Sequence, residues 1–215
     1  MLKYIRIVNG PIEENSYLVW DEESREGALI DPGFCEPEDI AAKLEEERIT
    51  LRYILNTHGH WDHICNDSRF QEQFNVPLLI HEDDRDYLTD GALNLAHKHG
   101  LDVEPIHSAS YLSGGEKIQL GKSDLLVLHT PGHSPGSVIF YNQQVAFTGD
   151  TVFYGSVGRC DLPGGDPDKM AESLVKIPLA IPRQAKILPG HGTMESTLME
   201  QLEINPFFTG KMTPK

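Results

Sequence analysis

Long apolar runs are missing from this 215-residue chain. None approaches the roughly 20 residues needed to cross a bilayer. The opening MLKYIRIVNG has neither the apolar centre of a secretion signal nor the Arg/Ser bias of a transit peptide. Cysteine is scarce: Cys35, Cys65 and Cys160 are too few and too scattered for a disulfide framework. Cations are in short supply too, with 18 Lys and Arg against 33 Asp and Glu and a formal charge of −15. Nucleic acid and anionic membranes are bound chiefly through cationic side chains, so this balance argues against either as a partner. Repeats of solenoid period and low-complexity tracts are also absent. These absences predict a cytoplasmic protein of a reducing compartment that meets small molecules.

What the chain does have is short β-type runs. YIRIV, SYLVW and GALID come first, punctuated by Asn9-Gly10-Pro11 and Asp31-Pro32-Gly33. PEDIAAKLEEER then reads as a helix, with Pro37 in its first turn and Ile40, Ala41 and Leu44 forming a one-sided apolar stripe. LRYILNT is a buried-type strand, followed by a helix around SRFQEQFN, the strand PLLIH and a helical stretch from Glu82 to His99. EKIQL, DLLVLHT, SVIFYN and QVAFTG make a second β-rich block. The helix PDKMAESLVKI, the strand AKILPG and a final helix MESTLMEQLE close the series. Strands followed by helices, twice over and with hairpin-like spacing, fit an α+β fold: a four-layer αββα sandwich formed as one domain over residues 1–215.

One stretch concentrates chemistry. THGHWDH, residues 57–63, crowds His58, His60, Asp62 and His63 behind a strand. Three later strands end in the same way: LLVLHTPGHSPGS delivers His133, VAFTGDT delivers Asp150 and ILPGHGT delivers His191. Each of these ligands stands beside Gly or Pro, so short stiff loops can aim them into one cleft. Seven nitrogen and oxygen ligands exceed one tetrahedral zinc, which takes three protein ligands and a water when catalytic. They suit two metals that share a bridging carboxylate. Imidazole with carboxylate fits zinc, and also iron or manganese. A helical zinc-protease motif is excluded, because His60 and His63 are three apart and lack the glutamate that follows the first histidine in that motif.

THGHWDH, PGHSPGS, FTGDT and PGHG together resemble the metallo-β-lactamase superfamily, over roughly residues 4–192. The resemblance implies the αββα sandwich with a dinuclear site at one edge. By position, His58, His60 and His133 would hold the first metal, Asp62, His63 and His191 the second, and Asp150 would bridge them. LIDPG, GDTVF and GRCDLPGGD are most similar to the glyoxalase II branch, the hydroxyacylglutathione hydrolases. That implies cleavage of a thioester such as S-lactoylglutathione by a hydroxide shared between the metals, with Asp62 also orienting the hydroxide. Only MESTLMEQLEINPFFTGKMTPK follows His191 closely, too short for the helical glutathione-binding domain of that branch.

Around this centre, Asp31, Asp161 and Thr57 are candidates to fix the imidazole tautomers. Tyr154 and Arg159 are candidates to line the substrate cleft, with an ion pair to an acidic neighbour as the alternative for Arg159. His81, His97, His99, His107 and His129 lack comparable context. The rival expectations are a persulfide dioxygenase of the same superfamily with a single iron, a nuclease disfavoured by the charge, and a zinc-binding protein without turnover.

Overall fold

A computed structural model describes residues 1–215. The first of its two large sheets contains, in spatial order, β1 (Leu2–Asn9), β2 (Glu14–Asp21), β3 (Glu26–Ile30), β4 (Thr50–Leu55), β5 (Leu78–His81) and β6 (Ser110–Leu112). Strands β1 to β3 pair antiparallel, and β3 to β6 pair parallel. The second sheet is ordered from β7 (Lys117–Leu120) through β8 (Ser123–His129), β9 (Val138–Tyr141), β10 (Val145–Gly149) and β13 (Lys186–Pro189) to β14 (Ser196–Thr197). A small hairpin, β11 (Val152–Phe153) with β12 (Ser156–Val157), follows β10.

Strand alternation explains the layering. In β2, Tyr17 and Val19 point into a core shared with Val127, Phe140 and Phe147 of the second sheet. Their neighbours Leu18 and Trp20 point the other way, among Ile40 and Leu44 of α1 (Pro37–Glu47) and Phe70 of α3 (Asp67–Phe74). The second sheet repeats this pattern, turning Ile139, Ala146 and Ile187 toward Met170, Leu174 and Ile177 of α4 (Pro167–Ala180) and Leu198 of α5 (Leu198–Ile204). A sheet buried on both faces shows nearly continuous apolar runs, and every residue of β2 is buried. The result is the αββα sandwich expected from the sequence.

Local chemistry sets the helix ends. Pro37 opens α1, with Glu38 and Asp39 in its first turn facing the positive end of the helix dipole. Asp166 caps α4 by accepting the amides of Asp168 and Lys169 at 2.9 and 3.0 Å.

Two expectations need correction. The stretch from Glu82 to His99 is not one helix but two 3₁₀ segments, Glu82–Leu88 and Ala96–His99. Asp90 accepts the Ala92 amide and Asn94 accepts the Ala96 amide, so short polar side chains replace the helical ladder between them. The final helix starts at Leu198 rather than Met194. Ser196 and Thr197 pair with β13, and a capping box between Thr197 and Glu200 fixes the start.

Candidate metal centre

The loops after β4, β8, β10 and β13 meet at one edge of the sandwich. The Val138 amide donates to the Thr57 carbonyl at 2.8 Å, joining the second sheet to the loop after β4. From β2, Asn15 donates its side-chain amide to the carbonyls of Pro189 and Gly192, and its backbone amide to Gly190. These contacts hold the His191 loop against the first sheet. His60 keeps extended backbone, and a single helical turn, α2 (Trp61–Ile64), follows it. The change of direction turns Asp62 and His63 toward His191, with the His63 ring still 4.1 Å from that of His58.

The seven side chains come together as two triads and a link. Ligand atoms of His58, His60 and His133 lie within 4.8 Å of one another, as do those of Asp62, His63 and His191. Asp150 groups with His58 of the first triad and His63 of the second. His60 Nδ1 is 2.9 Å from His133 Nε2, and His191 Nε2 is 3.0 Å from Asp62 Oδ2. One oxygen of Asp150 is 3.5 Å from His63 Nε2 and the other 3.4 Å from His133 Nε2. All but Asp150 and His191 are fully buried, and those two are half-buried.

Four of the five imidazoles turn their second nitrogen to an oxygen outside the cluster. His58 Nδ1 meets the Thr57 hydroxyl at 3.1 Å, and that hydroxyl donates to Asp31 Oδ2 at 2.7 Å. His63 Nδ1 is 3.0 Å from the same Asp31 oxygen. His133 Nδ1 meets the Arg159 carbonyl at 2.8 Å, and His191 Nδ1 meets the Ile12 carbonyl at 3.3 Å. For His58, His133 and His191 such partners place the ring proton on the outer nitrogen and leave a lone pair facing inward, while His63 Nδ1 is close to the Asp31 carboxylate without a well-aligned hydrogen bond. Asp31 and Thr57 therefore lie beside the imidazoles of His63 and His58. Asp161 does not: it is exposed and paired with Arg159.

The electrostatics of the cluster are polarised. Burial drives His60 down to about 3, with help from His133. Burial and the neighbouring histidines hold His58 well below its ordinary value. For His63, burial acts in the same direction, but Asp62, Asp31 and Asp150 overrule it and raise the imidazole. Burial would raise Asp150, yet His191, His63 and His133 keep it well below the usual carboxylate range. His58 Nε2, His63 Nε2 and Asp150 Oδ1 are buried without a hydrogen-bond partner. An unsatisfied buried polar atom costs about 1–3 kcal/mol, and an electron-pair acceptor among them removes that cost. The donor set fits divalent cations.

A cavity of 520 Å³ opens over the cluster. Ile12, Trp61, Leu95, Phe153 and Leu162 form its apolar walls, and Lys98, His99 and Arg159 are its other basic residues. Arg159 lines the cavity and also holds Asp161 in a bidentate pair at 2.6 and 2.7 Å. Tyr154 does not line it. It is exposed in the turn between β11 and β12, and the wall position falls to Phe153, whose ring centre is 6.3 Å from that of His191.

Sequence reasoning missed Glu14 and Asp84. Glu14 is fully buried, with one oxygen 3.8 Å from His63 Nδ1. Asp84 accepts hydrogen bonds from Gly59, Ser134 and Gly136, between two of the ligand loops. Neither stands in a motif; only the tertiary contacts mark them.

Comparison with known proteins agrees with this geometry. The family model described as "Metallo-beta-lactamase superfamily" matches residues 9–191. The hydroxyacylglutathione hydrolase GloC of Haemophilus influenzae is 32% identical over 203 residues, covering 93% of this chain and 94% of that protein. The crystal structure of BLEG-1 B3 metallo-beta-lactamase superposes with a TM-score of 0.87 at 36% identity, covering 98% of this chain and 100% of that one. TTHA1623 in a di-iron-bound form gives a TM-score of 0.81 at 37% identity, covering 94% and 99%. A histidine–aspartate cluster at the edge of an αββα sandwich, matched by a family model and by relatives along almost the whole chain, places it: the chain belongs to the metallo-beta-lactamase superfamily, among its metal-dependent hydrolases.

Proposed function

We propose that His58, His60 and His133 hold one divalent cation and Asp62, His63 and His191 a second, with Asp150 joining the two, and that the site hydrolyses a small-molecule thioester. The observation that carries this reading is the position of Asp150. It is the one carboxylate that reaches a histidine of each triad, 3.4 Å from His133 and 3.5 Å from His63. Likeness to a hydroxyacylglutathione hydrolase supports the thioester as substrate class.

When bound, a pair of such cations lowers the pKa of a water and polarises a carbonyl. The chain's own groups then do the remaining work. Asp62, kept ionised by His63 and His191 against the opposing effect of burial, accepts a hydrogen bond from the attacking water and orients it. Thr57 holds His58 in the tautomer that points a lone pair inward, and Asp31 stands 3.0 Å from His63 Nδ1. The apolar walls offer the acyl group an apolar surface to lie against. A thiol leaves as a thiolate without a proton donor, since its ordinary pKa of about 8.5 is low. No serine or cysteine nucleophile is required; Cys35 and Cys160 are buried and pushed up to about 11 by burial.

Elemental analysis of protein purified without added metal, paired with an S-lactoylglutathione assay, tests the proposal. The expected result is two cations per chain, zinc first among the candidates, and turnover that Asp150→Ala abolishes together with one or both cations. A single iron with oxygen uptake would replace the hydrolase reading with the dioxygenase one. A cephalosporin assayed in parallel separates thioester from β-lactam hydrolysis.

A further inference from the structure

Glu14 is fully buried, a state that acidic side chains almost never reach unless they are paired. Its Oε1 has no hydrogen-bond partner and lies 3.8 Å from His63 Nδ1. Its Oε2 is anchored within the sheet: the Asn9 side-chain amide donates to it at 2.6 Å, and the Ser16 hydroxyl is 3.2 Å away. The three residues meet because β1 and β2 pair antiparallel with Asn9 opposite Glu14. The hairpin itself does not need a buried acid there, and leaving one oxygen unpartnered is costly.

The same three residues clamp the turn that carries Asp31. Asn9 Oδ1 accepts the Phe34 amide at 2.7 Å, and the Ser16 hydroxyl also lies 3.2 Å from the Pro32 carbonyl. Between these contacts Gly33 has φ +52°, and a Cβ there would come within 2.7 Å of Glu14 Oε2 and 2.6 Å of the Asp62 carbonyl. The Gly33 amide in turn donates to the His63 carbonyl at 3.1 Å. Asp31 has a left-handed backbone, φ 47°, which persists only where surrounding contacts impose it. The clamp therefore fixes both the backbone of His63 and the Asp31 oxygen 3.0 Å from its ring.

The hairpin also holds the other histidine of that triad. Glu14 forms an isolated antiparallel bridge with His191, and the Asn15 amide donates to the Gly190 carbonyl at 2.7 Å. The Ile12 carbonyl faces His191 Nδ1. The first triad is anchored elsewhere, His58 on Thr57 and His133 on the Arg159 carbonyl.

We propose that Glu14 is a positioning residue for the second cation. Clamped by Asn9 and Ser16, it sets the Asp31 turn against His63 and so governs how tightly the Asp62, His63 and His191 triad holds its ion. The first triad is left largely untouched. This rests on the two-cation reading of the site and not on the thioester as substrate.

The test is stepwise zinc titration of chelator-stripped protein against a colorimetric chelator. Glu14→Leu is expected to weaken one equivalent roughly 10- to 100-fold, the usual loss for an outer partner, and the other by less than about threefold. Glu14→Gln offers Asn9 and Ser16 an amide oxygen in the same place and should keep both affinities within about threefold. Asn9→Ala leaves Glu14 present but unclamped and should weaken the same equivalent roughly tenfold. The cobalt spectrum identifies which equivalent is lost: Glu14→Leu with one cobalt should match His191→Ala, where only the first triad is complete. Asn9 is half-buried and Glu14→Gln is isosteric, so the comparison stands even where Glu14→Leu fails to fold. A purely structural role would lower both affinities alike, and that result would overturn the assignment. Equal losses in Glu14→Gln and Glu14→Leu would also overturn it, by showing charge rather than position at work. Unchanged affinities in Asn9→Ala would do the same. A single cation bound by the unaltered protein would overturn the two-cation reading, and with it any role confined to the second.

Discussion

The Asp84 carboxylate accepts the Gly136 amide at 2.6 Å. Its other oxygen accepts the Gly59 amide at 2.9 Å and the Ser134 hydroxyl at 2.7 Å. Asp84 belongs to neither ligand loop, yet it ties the loop of His58 and His60 to that of His133. Burial pushes its carboxyl up, and the three donors act against that. In Asp84→Asn an NH₂ group must face one of these N–H or O–H donors, so at least one contact becomes a repulsion. Loss of such an outer partner typically weakens metal binding roughly 10- to 100-fold. Competition against a colorimetric chelator should show that loss with the far-ultraviolet dichroism unchanged. Wild-type affinity in Asp84→Asn would remove the role assigned to this residue.

Asp31 gives a more selective prediction. It is 3.0 Å from His63 Nδ1 and reaches His58 only through the Thr57 hydroxyl. Asp31→Asn should therefore weaken the cation of the His63 triad by roughly 10- to 100-fold and the other by less. Stepwise zinc titration should resolve one tight and one weakened equivalent. Two equally weakened equivalents would mean that Asp31 acts on the loop as a whole rather than on one imidazole.

The seven clustered side chains were legible in the sequence because four crowd into THGHWDH behind one strand and the other three each follow a strand beside a glycine. The sandwich was legible because nearly continuous apolar runs such as SYLVW mark strands buried on both faces. Glu14 was not legible: it precedes SYLVW and has the composition of an exposed strand end, while its burial depends on Asn9, Ser16 and His63. Asp84 was hidden in the acidic run Glu82–Asp84, of which only it is buried. Tyr154 and Phe153 are adjacent aromatics, and only the β11–β12 hairpin decides which faces the cavity. For Glu14 and Asp84 the deciding partners include His63 and Ser134, which lie far away in sequence, where local pattern carries no information.

Relative to His60→Gln, the metal-free protein should lose stability as pH falls below about 6.5. His60 is held at about 3 when folded, chiefly by burial, against an ordinary value of 6.5. Between these two values the unfolded chain binds a proton that the folded chain does not, so unfolding becomes easier as pH drops. One such histidine contributes roughly 1.4 kcal/mol per pH unit in that window. His58, shifted in the same direction, adds to the slope, whereas the buried carboxyls of Glu14, Asp67 and Asp84, raised chiefly by burial, act against it in both proteins. His63 and His191 are shifted upward, so their contribution is complete below 6.5 and is lost only as pH rises above it. Denaturant unfolding of chelator-treated protein and of His60→Gln at pH 7, 6 and 5 should show the unsubstituted protein losing ground to the variant as pH falls. Parallel profiles for the two would contradict the assigned burial of an uncharged His60.

The two glycines that flank His191 are required for opposite reasons, and substituting each separates the site from the fold. A Cβ on Gly190 would lie 2.5 Å from Asp150 Oδ1 and 2.7 Å from His63 Cε1. A Cβ on Gly192 would meet nothing within 4 Å, but that residue has φ +90°, which disfavours any side chain. Gly190→Ala should therefore displace the carboxylate that links the triads. A shift of about 1 Å at reacting groups costs on the order of 100-fold in rate. Gly192→Ala should instead cost roughly 1–2 kcal/mol of stability through backbone strain, with rate much less affected. Thermal melts and kcat/KM measured on both variants give the comparison. If Gly190→Ala kept its rate while losing only stability, Asp150 would not need its place between His63 and His133, and the two-cation reading would lose its main support.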